Sequence, residues 1–142
     1  WPHSKFSTAF NKELQKSDLH HLFPSNSQAN STRANYEFGD PKTHIDQDVP
    51  GCPISQISDD NSNRTFTPPV EHRGNVARAL FYFSIRYRLP ISRAQETALR
   101  RWHKNDPIDA AERTRHGQIA ERQMNRNPFI DFPQLVDVIT DF

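Results

Sequence analysis

The chain has 142 residues, which is the length of one domain and leaves no room for a second hydrophobic core. Hydrophobic residues make up only 34% of it, but ten Phe, three Tyr and two Trp raise the area that can be buried, so we expect an ordered domain with long polar loops. With a net charge of +1, the molecule as a whole does not strongly attract a charged partner. To bind a polyanion it would need its positive residues sorted onto one face.

The N-terminal third is predicted to contain short elements of both types. Residues 7–18 can form a short helix, and the sequence DLHHLF (residues 18–23) predicts a strand that Pro24 ends. Ser25 is a good candidate N-cap, because its hydroxyl can accept hydrogen bonds from free N–H groups. We therefore expect a helix from Ser25 to about Asn35.

The middle of the chain is predicted to be a long surface excursion. Residues 36–63 are rich in Asp, Pro, Ser and Asn and show little periodicity, which is typical of loops and leaves room for a short strand. The sequence RTFTPP (residues 64–69) predicts a strand that is ended by two prolines.

The second half of the chain is predicted to be helical, because its apolar residues recur at helical spacing. We expect helices over residues 71–89, 91–106, 107–127 and 131–142. Pro107 can occupy the first turn of the third of these, just behind Asp106. The fold class is therefore α+β and mostly α-helical. The expected core includes Val76, Leu80, Phe83, Trp102, Ile119 and Phe129.

Two adjacent histidines, His20 and His21, lie in the predicted strand. Neighbouring residues of a strand point to opposite faces, so both cannot ligate one metal ion in the ordinary way. One of them can face the helix that carries Asn30 while the other faces the core or solvent. Alternatively, one is simply buried and hydrogen-bonded and the other lies at the surface, which the pattern alone favours.

Asn30 and Arg33 are three residues apart and therefore share one face of the predicted helix. An Asn amide oxygen is a hard ligand that suits Mg²⁺ or Ca²⁺, and an Arg one turn later can bind a phosphate with its fork of donors. A solvated helix face would show the same pattern, and alone it is the better interpretation. Residues 30–32 also match an N-glycosylation sequon, a motif that often arises by chance.

Basic residues are concentrated in the helical half and could line a phosphate-binding groove. They are Arg73, Arg78, Arg86, Arg88, Arg100, Arg101, Lys104, Arg122 and Arg126. They could equally form the solvated faces of amphipathic helices, which is the usual case. Cys52, the single cysteine, excludes an intramolecular disulfide and is interpreted as an ordinary loop thiol. The sequence contains neither zinc-ligand spacing nor a glycine-rich phosphate loop, and no apolar stretch of membrane-spanning length.

Four strings taken together resemble one known family. The first is DLHHLFPSN (residues 18–26), which is followed by Asn30, Arg33 and Asn35 and by the pair Phe38 and Gly39. The others are GNVARALFYFSIRY (residues 74–87), LRRWHKNDP (99–107) and QMNRNPFIDFPQL (123–135). In this order they resemble the bacterial endonuclease I family of secreted or periplasmic non-specific nucleases, from Trp1 nearly to the C-terminus. The resemblance implies one endonuclease I-like domain over residues 1–142. Its N-terminal part would be a small, N-terminally incomplete ββα-metal (His-Me finger) unit.

The resemblance also implies roles for individual residues. In this family a Glu-His pair supplies one metal ligand and the general base that activates water, and an Asn on the helix after the second strand supplies the other protein ligand. Carried over by position, Asn30 is that ligand, and His20 and His21 support the second strand. The residues expected to contact nucleic acid are Arg33, Asn35, Arg78 and Arg126. The implied cofactor is Mg²⁺, with Mn²⁺ or Ca²⁺ as alternatives. The implied partner of this secreted or periplasmic monomer is DNA, with RNA as an alternative and no membrane contact.

One departure from the family pattern concerns the Glu-His pair, which would directly precede Trp1 and Pro2. His3 is a poor substitute, because on a strand it would lie about four positions further along, more than ~10 Å away at ~3.3 Å per residue. We therefore expect the chain to be the C-terminal portion of a longer protein and, by itself, to be inactive or nearly so. The alternative is a non-catalytic nucleic-acid-binding or interaction domain that keeps the fold.

Overall fold

The computed structural model of the chain describes residues 9–41, 45–59 and 64–142. Within these ranges the helices are α1 Ala9–Ser17, α2 Ser27–Arg33, α3 Arg73–Tyr87, α4 Arg93–Asn105, α5 Ala110–Gln123, α6 Pro128–Asp131 and α7 Leu135–Val138. The strands are β1 Glu37–Phe38, β2 Ile45–Asp48, β3 Gln56–Ser58 and β4 Thr65–Thr67. The α+β class and its helical majority are confirmed. Trp1, Pro2 and His3 lie outside the described residues.

The four strands form one small mixed sheet in the order β1-β4-β3-β2. Strand β1 runs parallel to β4, whereas β4, β3 and β2 pair antiparallel, with Ile57 opposite Phe66. The strand predicted at residues 64–69 is confirmed. The excursion predicted over residues 36–63 supplies the other three strands, which are two to four residues long and too short to show a period of two.

Helix α2 packs on this sheet through Ala29. The side chains of Ala29, Val49, Ile57 and Phe66 form a small buried cluster. Tyr36, Phe38 and Cys52 pack against it. Because α2 has only seven residues, it depends on this contact rather than on its own helical propensity.

The main core lies between α3 and α4 and is closed by the C-terminal segment. Of the predicted core residues, Leu80, Phe83, Trp102, Ile119 and Phe129 are buried, and Val76 is partly buried against the same cluster. The C-terminal Phe142 stacks on Phe81 with 4.2 Å between the ring centres. The helix predicted across residues 71–89 is confirmed as α3, preceded by a 3₁₀ turn, Val70–His72.

The strand predicted for residues 18–23 is wrong, and with it the second strand of the expected ββα unit. This segment, called the histidine turn below, runs as a turn into an extended stretch. The Asp18 carboxylate accepts a hydrogen bond from the His20 N–H at 3.0 Å, and the Asp18 carbonyl accepts one from the His21 N–H at 3.4 Å. An Asp that bonds its own backbone two residues on favours a turn over a sheet ladder.

Two predicted helix starts also differ from the structure. The cap of α2 is Asn26 and not Ser25. Helix α5 begins at Ala110 behind the cap Asp109, because Asp106 ends α4 instead. Of the helix predicted over residues 131–142, only the short α7 forms, and the short helix α6 lies mostly ahead of that range. Among the helices of the described ranges, none combines the length and the apolar character that crossing a membrane requires.

Candidate functional site

Helix α2 presents Asn30 and Arg33, and Asn26 determines where it begins. The Asn26 Oδ1 accepts hydrogen bonds from the backbone N–H groups of Gln28 (2.9 Å) and Ala29 (3.2 Å). A Cβ on Gly51, which has a φ of +77°, would lie 2.4 Å from the same Oδ1. Glycine is therefore required at position 51, where the turn after β2 packs against the Asn26 side chain. The start of α2 is fixed by the hydrogen bonds of Asn26 and by this close packing of the turn.

Asn30 directly follows the buried Ala29, and its own side chain is exposed. Its backbone carbonyl accepts a hydrogen bond from Ala34 at 3.2 Å, but among the described residues its side-chain amide has no partner. A free amide oxygen on a packed helix is a hard donor of the kind that suits Mg²⁺, Mn²⁺ or Ca²⁺. In the ranges that the structure covers, no group of three or more His, Cys, Asp or Glu could hold a metal ion. Asn30 thus fits as one oxygen ligand of a hard cation.

Arg33 is half-buried at the end of α2, with its guanidinium carbon 5.1 Å from the centre of the Phe38 ring. Burial lowers the pKa of Arg33 below its ordinary value, and no described carboxylate forms an ion pair with it. It lines a cleft of about 30 Å³ that exposed Asn35, Glu37 and Ser92 also border. The Glu37 carboxylate accepts a hydrogen bond from the Ser92 hydroxyl at 2.6 Å. The cleft therefore carries both the Arg33 guanidinium, which has no ion-pair partner among the described residues, and the Glu37 carboxylate.

The histidine turn is attached to the helical body through the buried carboxylate of Asp18. This carboxylate accepts hydrogen bonds from the hydroxyls of Tyr82 and Tyr87, both at 2.8 Å, and from the Gln123 amide at 2.9 Å. Burial by itself would raise the pKa of Asp18, but these hydrogen bonds outweigh it and hold the pKa below its ordinary value. Burial, with a contribution from Asp18, raises the pKa of Tyr87 to about 12.

The two histidines of the turn have different surroundings. His20 is only 2% exposed, and its Nε2 donates to the Asn125 carbonyl at 3.2 Å. His21 is half-buried, with its Nδ1 2.8 Å from the Asp18 carbonyl and its ring 4.3 Å from that of Phe83. The expectation that one histidine is buried and hydrogen-bonded is confirmed. His20 is thus enclosed and His21 is partly exposed, and both rings pack against aromatic residues of α3.

His20 faces a second buried histidine, His116 of α5, with 5.5 Å between the ring centres. The Nε2 of His116 donates to the Asp131 carboxylate at 3.1 Å. Within the described residues neither Nδ1 has a hydrogen-bond partner. Burial lowers the pKa of His20, although the Asn125 carbonyl and Asp18 oppose the shift. Burial therefore favours the neutral state of His20.

Arg115 of α5 holds the second half of the histidine turn. Its guanidinium donates to the carbonyls of Leu19 and Leu22, both at 2.6 Å, and lies 4.4 Å from the centre of the Phe23 ring. Burial lowers the pKa of Arg115. The side chains of Leu19, Leu22 and Phe23, called the apolar shelf below, remain 36%, 39% and 39% exposed.

Two arginines that were expected to contact nucleic acid are engaged elsewhere. Arg78 is 1% exposed and forms two hydrogen bonds with the buried Glu112, at 2.8 and 2.6 Å, so the prediction that it contacts a phosphate is wrong. The helical spacing of the apolar residues in α3 led to the expectation that its arginines lie on an exposed face. Arg126 is exposed but forms two hydrogen bonds with Asp131, at 2.8 and 2.6 Å. Arg33 and Asn35, in contrast, lie together at the cleft.

Sequence reasoning missed the residues that hold the histidine turn in place, namely Asp18, Arg115 and Gln123. For Asp18 a signal existed, because an Asp directly after a helix favours a turn. For the other two no local signal existed, since their partners lie 93 to 105 residues away in the chain.

The described residues therefore form an α+β protein in which α2 presents the exposed Asn30 and the half-buried Arg33, with a small cleft beside Arg33. The family model for Endonuclease I matches residues 1–134. The chain is 35% identical over 140 residues to an extracellular ribonuclease of Bacillus subtilis (strain 168), covering 86% of this chain and 46% of that protein. It is 34% identical over 125 residues to a periplasmic deoxyribonuclease of Aeromonas hydrophila, covering 88% and 51%.

The chain belongs to the endonuclease I family, as the resemblance predicted. It spans about half the length of the curated relatives that it matches. These relatives are named for action on RNA in some cases and on DNA in others, and they are named as extracellular or periplasmic proteins.

Proposed function

We propose that this chain is part of a secreted or periplasmic, non-specific endonuclease that hydrolyses the phosphodiester bonds of DNA, and of RNA as an alternative substrate. The observation that carries the proposal is the half-buried guanidinium of Arg33, which has no ion-pair partner among the described residues and lies one helical turn from the exposed amide of Asn30. A half-buried charge without a counter-ion is costly to the fold, and a phosphate bound at the mouth of the cleft, which is itself too small to enclose one, would relieve that cost. The names of the family's relatives support nucleic acid as the source of that phosphate.

Asn30 is the residue that we propose holds the metal ion. Mg²⁺ is the ion proposed, with Mn²⁺ or Ca²⁺ as alternatives, because a neutral amide oxygen is a hard ligand. When bound, such an ion supplies the Lewis acidity that phosphodiester hydrolysis needs. The role of the chain itself is to hold the Asn30 oxygen still. The Asn26 cap, the packing of Ala29 and the Gly51 turn all serve that role.

Arg33 and Asn35 are the residues that we propose bind the nucleic acid backbone. The planar guanidinium can donate two parallel hydrogen bonds to one phosphate, and the Asn35 amide can donate to a neighbouring oxygen. These contacts carry no information about base sequence, which suits a non-specific nuclease.

His20 and His21 are supporting residues in this proposal and not the general base. A base must come within hydrogen-bond reach of the proton it removes, and His20 is enclosed with its Nε2 already donating to the Asn125 carbonyl. We propose that the protein acts as a monomer.

The test is cleavage of a supercoiled plasmid and of an RNA by the protein translated from its complete reading frame, so that any encoded residues ahead of Trp1 are present. Nicking that needs Mg²⁺ and stops with a chelator is expected. Nucleic acid binding without chelator-sensitive nicking would overturn the proposal and favour a non-catalytic binding domain with the same fold. The relative rates on plasmid and RNA give the substrate preference.

A further inference from the structure

We propose that the apolar shelf of Leu19, Leu22 and Phe23 binds an unpaired nucleobase, which stacks on the ring of Phe23, so that the substrate is gripped as a single strand next to α2. The inference rests on the proposed function only in taking nucleic acid as the ligand. It adds a base-binding subsite to the phosphate-binding cleft at Arg33.

The Phe23 ring is arranged as a stacking surface. Its ring lies 4.4 Å from the guanidinium of Arg115, and 39% of the side chain is exposed. The guanidinium is fixed in turn by its hydrogen bonds to the carbonyls of Leu19 and Leu22, at 2.6 Å each. The backbone under the ring is therefore held in place before a ligand arrives, which lowers the entropy that binding costs.

The charges around the apolar shelf match a nucleic acid strand better than an apolar protein surface. Arg122 lies two helical turns after Arg115 on the same face of α5, is exposed and has no ion-pair partner among the described residues. The α-carbon of Arg122 is ~10 Å along α5 from that of Arg115, which contacts the Phe23 ring. Aromatic rings with arginines within reach of the neighbouring phosphates bind single strands without sequence preference.

The apolar shelf is also close to the proposed metal ligand. Asn26 lies three positions after Phe23, a span of at most ~11 Å, and the four-residue step from Asn26 to Asn30 along the helix adds ~6 Å. The two side chains therefore stand on α-carbons no more than ~17 Å apart. A strand of a few nucleotides can contact both.

The test measures the Kd of a fluorescently labelled single-stranded thymidine decamer in chelator, where no cleavage occurs, for the native protein and for Phe23→Leu, Phe23→Trp and Phe132→Leu. Phe132 is 57% exposed and serves as the matched control. Phe23→Leu is expected to weaken binding by about fivefold or more, because stacking on an aromatic ring is lost, whereas Phe23→Trp keeps native affinity or improves it. The control is expected to bind like the native protein.

A cycle with abasic oligonucleotides tests the stacking itself. Oligonucleotides that lack one base at each position in turn are compared. Loss of the base that stacks on Phe23 should weaken binding to the native protein but should have little further effect on Phe23→Leu, because the two changes delete the same contact. Equal abasic penalties in both proteins, or native affinity of Phe23→Leu, would overturn the proposal. A change of oligomeric state in Phe23→Leu, with unchanged oligonucleotide affinity, would instead identify the shelf as a protein interface and also overturn it.

The two proposals can fail separately. If Phe23→Leu binds weakly but no metal-dependent nicking is found, the shelf stands and the nuclease proposal falls. If metal-dependent nicking is found and Phe23→Leu binds with native affinity, the nuclease proposal stands and the shelf proposal falls.

Discussion

Arg33→Ala should weaken nucleic acid binding while leaving the fold as stable as before. Arg33 has no ion-pair partner among the described residues, so its removal leaves no carboxylate unpaired. The variant loses the contact between the guanidinium and the Phe38 ring, worth about 0.5–1 kcal/mol, and it gains relief from the desolvation of a half-buried charge. Alanine is also the better helix former. The free energy of unfolding should therefore change by less than about 1 kcal/mol.

The effect on binding can be worked out from counterion release. One phosphate contact on duplex DNA contributes about 0.9 to the slope of log K against log salt. Raising the salt concentration fourfold should therefore lower the affinity of the native protein about 3.5-fold more than that of the variant. The assay is the Kd of a labelled duplex in chelator at four or more salt concentrations, with chemical denaturation as the measure of stability.

Arg126→Ala is the matched control, because it removes the same formal charge from an exposed residue. The Arg126 guanidinium already donates two hydrogen bonds to Asp131, so its loss should change the slope much less. Equal slope changes in the two variants would mean that only net charge matters. An unchanged slope in Arg33→Ala would refute the reasoning that the cleft binds a phosphate.

Three further predictions concern other parts of the molecule. Asn30→Ala, in the protein from the complete reading frame, should lower the Mg²⁺-dependent rate by orders of magnitude without changing the metal-free melting temperature; a native rate at low Mg²⁺ would instead favour a solvated helix face. Glu112→Gln should lower the free energy of unfolding by about 3–5 kcal/mol in urea denaturation, because it leaves the buried Arg78 without its counter-ion, whereas exposed Glu121→Gln should not. Burial lowers the pKa of His20 in the folded state, so the contribution of His20 to stability is complete above about pH 6.5 and declines as the pH falls below that value. Between about pH 7 and 5 the melting temperature of His20→Gln should therefore fall less than that of the native protein.

Local patterns were sufficient to predict the helical body. In α3 the positions of Leu80 and Phe83 follow the helical period, and both are buried as expected. The role of Arg78 on the same helix was predicted wrongly. Its partner Glu112 lies 34 residues further along the chain, and no residue near Arg78 indicates that pairing. Pairing across such a distance is a property of the packed fold and not of the local sequence.

The site was only partly predictable for the same reason. The pairing of Asn30 with Arg33 follows from helical spacing alone, and the structure places both on α2. The histidine turn was mistaken for a strand because DLHHLF is apolar enough for one, and the deciding interaction is the Asp18 side chain bonding the backbone of His20. Strands as short as β1 to β3 carry too few residues for any period to be read.

The contacts of Asp18 and His20 with the far end of the chain determine when the site can form. Their partners Gln123 and Asn125 each lie 105 residues later in the sequence. A ribosome releases the N-terminal part of a chain first, so the histidine turn emerges well before the residues that hold it in place. The histidine turn can therefore be fixed only after α5 has emerged. In the nuclease that we propose, the turn ahead of α2 would stay unanchored until those late residues arrive, while the nucleic acids of the cell are all around it.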